Sequence, residues 1–210
     1  MGLRFSQREL RDLAVAWVAL GVAFSLLLEP RLRNVLFGQL GDLTVPGIVE
    51  TLAISLLTVG VGFLLHELAH KVVAVRFGQI AAFRADYRML GFAVVGALVG
   101  FLFAAPGAVV HRGRITKRAH GLIALAGPVT NLLLSALFLV PFLAVIAAGS
   151  GGFLWEVARR GLQINLLLAG FNMLPFGPLD GRKIREWSNL VWAAVAVPSI
   201  LLAVGALVLL

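Results

Sequence analysis

One long apolar run, from about Ile48 to Val75, carries two histidines and a glutamate near its C-terminal end. His66 and His70 are four residues apart, so on a helix their side chains share one face, and Glu67 lies in the same turn. The order His-Glu-x-x-His is typical of helices that bind a catalytic zinc ion through both imidazoles and use the glutamate as a general base. Ionisable groups at membrane depth are costly unless they are paired, metal-bound or in contact with water. The pattern therefore predicts a metal site inside an apolar helix.

The composition of the chain is that of an integral membrane protein. Hydrophobic residues make up 60% and charged residues only 13% of the 210 positions, whereas soluble domains have about 25% charged residues. There are no cysteines, so a bound metal needs nitrogen and oxygen ligands. The net charge is +8, but the basic residues flank apolar runs, which favours anionic lipid over nucleic acid as their partner. We expect a single domain, 1–210, and no nucleic-acid partner.

Several apolar runs are long enough, at about 20 residues, to cross a bilayer as helices. They predict an all-α polytopic membrane protein with about five to six transmembrane helices. The first run is interpreted as a retained helix, because no small-x-small cleavage site follows it. The runs are about Leu13 to Leu28, Ile48 to Phe77, Gly91 to Val110, His120 to Ala148, Gly161 to Phe176 and Leu190 to Leu210.

A third metal ligand is needed, because a catalytic zinc normally takes three protein ligands and a water. Asp180 is the candidate carboxylate, since it follows the prolines and glycines of the sequence NMLPFGPLDG at 172–181. Two interpretations stay open on the residues alone: the loop returns the carboxylate toward membrane depth, or Asp180 is solvated at a helix end. His111 and His120 are rival ligands, but each is close to arginine or lysine, which favours interfacial solvation.

The number of crossings decides whether His70 and Asp180 can meet. If the run Gly91 to Val110 crosses, the two residues lie on opposite faces; if it does not, they lie on the same face. Glycines and a proline interrupt this run, which favours a re-entrant or hairpin element. With five crossings and the N-terminus inside, all but four of the 18 Lys and Arg face the cytoplasm, in keeping with the positive-inside rule. The four exceptions are Arg31, Arg33, Arg159 and Arg160.

We therefore expect residues 79–118 to form a membrane-associated insert after the His-Glu-x-x-His helix. Within it, β-branched residues flank Gly113 over Ala108 to Thr116. This pattern predicts a β-hairpin of two short strands with Gly113 in the turn.

Three motifs in order carry a resemblance to a known family. The sequence HELAH at 66–70, AGPVTN at 126–131 and NMLPFGPLDG at 172–181 resemble the motifs of the site-2 protease family of intramembrane zinc metalloproteases. The match covers about Ile48 to Arg185, which would be the catalytic core. Asn131 of the second motif would have a supporting role, for which hydrogen bonding to a neighbouring helix is the alternative.

The resemblance implies a role for each of five residues. His66, His70 and Asp180 would hold Zn²⁺. Glu67 would activate the water, and Asn172 would position substrate or stabilise the oxyanion. The family's three-helix core corresponds to the second, fourth and fifth apolar runs, and its members often carry a membrane-embedded β-hairpin after the first core helix.

By the same resemblance, the function would be hydrolysis of peptide bonds in transmembrane segments of membrane protein substrates. The active site would lie toward the cytoplasmic side, and an exposed strand near 108–116 would hold the unwound substrate by strand addition. The chain carries no recognisable soluble sensing domain, so selection of substrates would fall to the insert or to a partner. The alternative is a non-catalytic zinc-binding transporter or scaffold, against which the intact Glu67 argues.

Overall fold

The computed structural model describes residues 2–36, 44–101 and 106–210. Helices dominate these residues, and two short strands accompany them. A π-helical turn, Leu56–Gly60, joins α3 to α4 without a break in the helix axis. The helices are α1 (Gln7–Leu28), α2 (Pro30–Leu36), α3 (Val45–Ser55), α4 (Val61–Arg76), α5 (Tyr87–Leu98), α6 (Lys117–Ala147), α7 (Phe153–Asn172), α8 (Asp180–Trp187) and α9 (Asn189–Leu209), and the strands are β1 (Ile80–Ala85) and β2 (Gly107–Arg112).

Four helical segments in the described residues are long and apolar enough to cross a membrane: α1, the continuous helix Val45–Arg76, α6 and α9. The protein is therefore a helical integral membrane protein. Helix α7 has 20 residues but carries charged side chains in its N-terminal turns, Glu156, Arg159 and Arg160, and it is not among the four.

Helix starts in this chain follow local capping chemistry. The hydroxyl of Ser6 accepts from the backbone N–H of Glu9 at the start of α1, and Thr116 does the same for Ala119 at the start of α6. Asp86 caps α5 by accepting from Arg88 and Met89. Because a side-chain oxygen satisfies the first free N–H groups, these residues determine where each helix begins.

The two strands form an antiparallel pair, with Ile80 opposite Arg112 and Ala85 opposite Gly107. The expected strand at 108–112 is present, but the predicted hairpin about Gly113 is wrong. The strand that pairs with β2 is β1, which lies upstream of α5 and not at 114–116. Gly113 follows the end of β2, and a side chain there would collide with Gln79. Tertiary packing, which a local turn pattern does not report, selected the partner strand.

Helix α5 leaves the strand pair and the chain returns to it. The N–H of Asp86, before α5, donates to the carbonyl of Pro106, before β2, over 3.0 Å. Helix α5 packs along α1 through the small residues Ala23, Ala93 and Ala97. At about 1.5 Å per residue, its 12 residues span about 18 Å, which is short of the ~30 Å hydrocarbon core. The segment between β1 and β2 thus begins and ends at the same end of the molecule.

A buried ion pair between Glu9 of α1 and Lys71 connects α1 and β1 to α4, the helix that carries the histidines. The Lys71 ammonium donates to both carboxylate oxygens of Glu9 over 2.7 Å, and it lies 3.6 Å from the centre of the Phe5 ring. Glu9 also accepts the N–H of Phe83 in β1 over 3.0 Å. Lys71 follows His70 directly, so this contact holds the N-terminal end of α1 beside the last turns of α4.

Replacement of Lys71 by methionine is expected to lower the free energy of unfolding by about 3–5 kcal/mol, because Glu9 would remain buried without its counter-charge. The measurement is thermal or denaturant unfolding of purified protein in detergent. Lys117→Met is the matched control, since Lys117 is exposed and should change stability by less than about 0.5 kcal/mol. Equal stabilities for the two variants would show that the Glu9–Lys71 pair contributes nothing net.

Candidate metal centre

His66 and His70 lie on one face of α4, one turn apart, with their ring centres separated by 4.6 Å. Asp180 reaches them from the start of α8, because the loop after α7 turns back toward the helices. Its Oδ2 lies 3.2 Å from Nε2 of His66 and 3.1 Å from Nε2 of His70. All three side chains are buried, and their candidate ligand atoms lie within 4.8 Å of one another. Of the two interpretations of Asp180, the structure has the one in which the loop returns the carboxylate to the histidines.

The far nitrogen of each imidazole has an oxygen partner. Nδ1 of His66 lies 2.6 Å from Oδ1 of Asn131, and Nδ1 of His70 lies 2.7 Å from the backbone carbonyl of Ile123. A carbonyl oxygen can only accept, so each Nδ1 carries the proton and donates it. With Nδ1 as the donor, each imidazole can offer its Nε2 to a metal ion, and both Nε2 atoms face the same point beside Asp180.

Asp180 is ionised in this setting. Burial opposes the charged form, but the neighbouring rings of His70 and His66 hold the pKa of the carboxyl below its ordinary value. The ammonium of Lys183, one turn along α8, donates to the other carboxylate oxygen over 3.3 Å. Asp180 thus offers a charged oxygen to the two imidazole nitrogens.

Two imidazole nitrogens and one carboxylate oxygen form a donor set that suits a catalytic zinc ion with an open fourth position. Helix α6 leaves room for an ion at this point. A Cβ atom added to Gly127 would lie 2.5 Å from the Nε2 atoms of both His66 and His70. Only glycine keeps this space beside both ligand nitrogens clear, so the residues present fit the ion.

Glu67 is buried beside the histidines, and its Oε2 has no hydrogen-bond partner among the described residues. An unpartnered buried carboxylate oxygen is costly, so its position needs a compensating contact. Glu67 lines the same cavity as His66 and His70. A water or a substrate group in that cavity would supply the missing partner.

The cavity that contains these residues has a volume of about 760 Å³. One part of its wall is apolar and comes from α1, α4 and α7, including Phe24, Phe63 and Leu168. Another part is polar and comes from the strand pair, α5, α6, α8 and the last residue of α7. The polar or charged lining residues outside the metal cluster include Arg84, Arg88, His111, His120, Asn172 and Lys183. The cavity therefore joins an apolar surface to a basic one next to the metal ligands.

Asn172, the last residue of α7, lines this cavity and donates from Nδ2 to the carbonyl of Leu168 over 2.9 Å. The rival ligands His111 and His120 also line it, with their ring centres 5.8 Å apart. They lie outside the cluster formed by His66, His70 and Asp180. The predicted roles of Glu67, Asn172 and Asn131 stay predictions at this point, although all three side chains lie at the site.

The sequence reasoning missed Asn165. It lies in α7, is fully buried, and accepts from Nδ2 of Asn131 over 2.9 Å. The available signal was a polar residue in an apolar helix, two turns before Asn172. The role of Gly127 was also missed, although this residue lies in the AGPVTN motif, and the Ile123 carbonyl was missed because a motif does not report a backbone oxygen.

The fold and the donor set define a membrane-embedded helical metalloprotein with a carboxylate poised beside its metal ligands. Comparison with curated proteins agrees with that class. The chain is 39% identical over 200 residues to the "Putative zinc metalloprotease MJ0611" of Methanocaldococcus jannaschii. The aligned region covers 94% of this chain and 93% of that protein. It is 37% identical over 147 residues to the "Putative zinc metalloprotease YwhC" of Bacillus subtilis, covering 62% of this chain and 66% of that one. The chain belongs to the family of these zinc metalloproteases.

No family model matches the chain. No solved structure matches it either.

Proposed function

We propose that this protein is an intramembrane zinc endopeptidase of the site-2 protease type, which cleaves peptide bonds within transmembrane segments of other membrane proteins. The observation that carries the proposal is the cluster of His66, His70 and Asp180, with Glu67 beside it, buried between helices apolar enough to lie in a bilayer. The relatives named as zinc metalloproteases support both zinc as the metal and hydrolysis as the chemistry.

His66, His70 and Asp180 would hold the zinc ion, which when bound would polarise the scissile carbonyl and acidify a water. Glu67 takes the proton from the attacking water and passes it to the leaving amine nitrogen, a role that suits its unpartnered oxygen. Asn172, at the cavity wall, orients the peptide and donates to the developing oxyanion. The buried setting limits water around the reacting groups, which strengthens these electrostatic contacts.

A substrate helix hides its amides in internal hydrogen bonds, so cleavage requires an extended segment. The strand pair has one edge available for such a segment. The outer edge of β1 is capped, because Glu9 accepts the N–H of Phe83. Strand β2 lines the cavity from Gly107 to His111, and its own outer edge is the one we propose to pair with substrate by strand addition.

We propose five crossings, with α7 as the fifth and the active site toward the cytoplasm. Contacts support a common end for the start of α1, the end of α4, the strand pair and Asp180: Glu9 bonds Lys71 of α4 and Phe83 of β1, and Asp180 contacts His70. Other contacts support a common opposite end: Arg159, near the start of α7, donates to the C-terminal residue Leu210. The pKa of Glu29, after α1, lies below its ordinary value chiefly because Arg31 donates hydrogen bonds to it, and Arg160 of α7 adds to the effect.

Single-cysteine labelling tests this topology cleanly, because the chain contains no cysteine. Cysteines at 84, 114 and 183 are expected to react with a membrane-impermeant reagent from one side, and a cysteine at 33 from the other. The cysteine-free parent is the control for background labelling. Labelling of positions 84 and 114 from opposite sides would contradict the five-crossing arrangement.

The proposed partners are a transmembrane protein substrate and the lipid bilayer, with no nucleic acid. The experiment that tests the function is incubation of purified protein, in liposomes, with a model transmembrane substrate and with a soluble peptide of the same cleavable sequence. We expect cleavage within the apolar segment, mapped by mass spectrometry and blocked by a zinc chelator. Zinc uptake into the liposomes with intact substrate would instead identify a transporter.

A further inference from the structure

Two buried asparagines connect His66 to the backbone of α7. Asn131 of α6 accepts from Nδ1 of His66 over 2.6 Å and donates from Nδ2 to Oδ1 of Asn165 over 2.9 Å. Asn165 donates from its own Nδ2 to the carbonyl of Gly161 over 2.8 Å. Both asparagine side chains are fully buried. The series therefore runs from a backbone carbonyl through two amides to a metal ligand.

The direction of each hydrogen bond in this series is forced. The Gly161 carbonyl can only accept, so the nitrogen of the Asn165 amide must face it and its oxygen must face Asn131. The Asn131 amide then has to direct its nitrogen toward Asn165 and its oxygen toward His66. Nδ1 of His66 must consequently donate to Asn131, which directs Nε2 toward Asp180 and the proposed metal position.

We propose that Asn165 is a positioning residue for zinc binding, which holds Asn131, and through it the imidazole ring of His66, in the orientation that ligates the metal. His70 needs no such series, because the backbone carbonyl of Ile123 accepts directly from its Nδ1. Asn131, by contrast, is an amide that could turn over, and a turned amide would favour the proton on Nε2 of His66. The inference rests on the proposed zinc site, but it assigns a role to a residue that makes no contact with the metal.

Two further contacts bear on how strongly Asn165 acts. Nδ2 of Asn131 also donates to the carbonyl of Gly62, but over a longer distance of 3.2 Å. Loss of Asn165 should therefore weaken the orientation of Asn131 without abolishing it. A Cβ atom at Gly62 would lie 2.8 Å from Oδ1 of Asn165, so the glycine lets the amide approach α4.

The test compares Asn165→Leu with Asn165→Asp. Leucine matches asparagine in size and suits an apolar helix, but it cannot accept from Asn131. Aspartate is costly to bury, yet it keeps an oxygen facing Asn131. A role in orienting Asn131 predicts tighter zinc binding by Asn165→Asp than by Asn165→Leu, whereas a role in packing alone predicts the reverse.

Zinc affinity is measured by chelator competition on folded protein, which size-exclusion chromatography in detergent selects. Asn165→Leu is expected to bind zinc about 10–100-fold more weakly than the parent, the range typical for residues that orient metal ligands. Ser135→Ala is the matched control, because Ser135 is buried in α6 but bonds only within its own helix, and it should bind zinc like the parent.

The hydrogen bond itself is read from ¹⁵N-histidine spectra of the zinc-loaded protein, with His66→Ala to assign the signal. In the parent, the Nδ1 proton of His66 should be shifted downfield by its 2.6 Å hydrogen bond to Asn131, and Asn165→Leu should move this signal upfield. Parent-like affinity and spectra in Asn165→Leu, or tighter zinc binding than in Asn165→Asp, would overturn the inference. If His66→Ala also kept parent affinity, the zinc site itself would fail, so the two failures are distinguishable.

Discussion

Glu67→Gln is expected to keep zinc and fold while losing proteolysis by several orders of magnitude. General-base assistance alone contributes about 10²–10⁴ to the rate, and loss of the correct placement of water adds to the deficit. The substitution is nearly isosteric, and Oε2 of Glu67 has no hydrogen bond within the described part of the chain that the change would break. The measurement is the cleavage rate of a transmembrane substrate at equal zinc content.

Glu50→Gln is the matched control for this variant. Glu50 lies in the same long helix but is exposed, so its loss should leave the cleavage rate unchanged. Near-parental cleavage by Glu67→Gln, with zinc bound in both proteins, would remove the hydrolytic mechanism proposed here and favour metal transport. Loss of zinc from Glu67→Gln would instead place Glu67 among the ligands.

Alanine at His66, His70 or Asp180 is expected to reduce a zinc content of about one ion per chain to a small fraction. Each change leaves two protein ligands where catalytic sites use three. The loss of affinity should exceed the 10–100-fold that follows changes in residues that only orient ligands. Elemental analysis of protein purified without added zinc is the measurement.

His111→Ala provides the control for these three variants. His111 lines the same cavity but lies outside the ligand cluster, so this variant should retain zinc. If Asp180→Ala kept its full zinc content and His111→Ala lost zinc, His111 and not Asp180 would be the third ligand. The 3.1 and 3.2 Å contacts of Asp180 with the two histidines predict the opposite.

The metal-binding helix was predictable from the chain because its information is local. The spacing of His66 and His70 places them on one face of any helix, and an apolar run of this length is a helix in a bilayer. The charge distribution is also local information, since each basic residue lies beside an apolar run, but the orientation that it predicts stays a prediction. Capping residues such as Ser6 and Thr116 likewise act within one turn.

The strand pair shows where local information fails. The sequence predicted β2 but assigned its partner to residues after Gly113, because a glycine between β-branched residues is a turn signal at short range. The true partner, β1, precedes α5 and is held against α4 by Glu9, which is far away in the chain. Strand pairing depends on which two strands the surrounding helices bring side by side, and a short sequence pattern does not contain that information.

The parts of the site that rest on one helix, His66, Glu67 and His70, follow from periodicity, because a helix repeats the same geometry wherever it occurs. The rest depends on how separate helices pack. The residues alone left Asp180 open between a solvated loop and a return toward the histidines, and its position depends on the loop from α7 to α8. Gly127 matters because α6 packs closely against α4, where the absence of a side chain leaves space beside the two histidines. Asn165 matters because α7 packs against α6, where its amide accepts from Asn131 and donates to the Gly161 carbonyl. Such contacts join residues distant in the chain, so only the tertiary structure decides them.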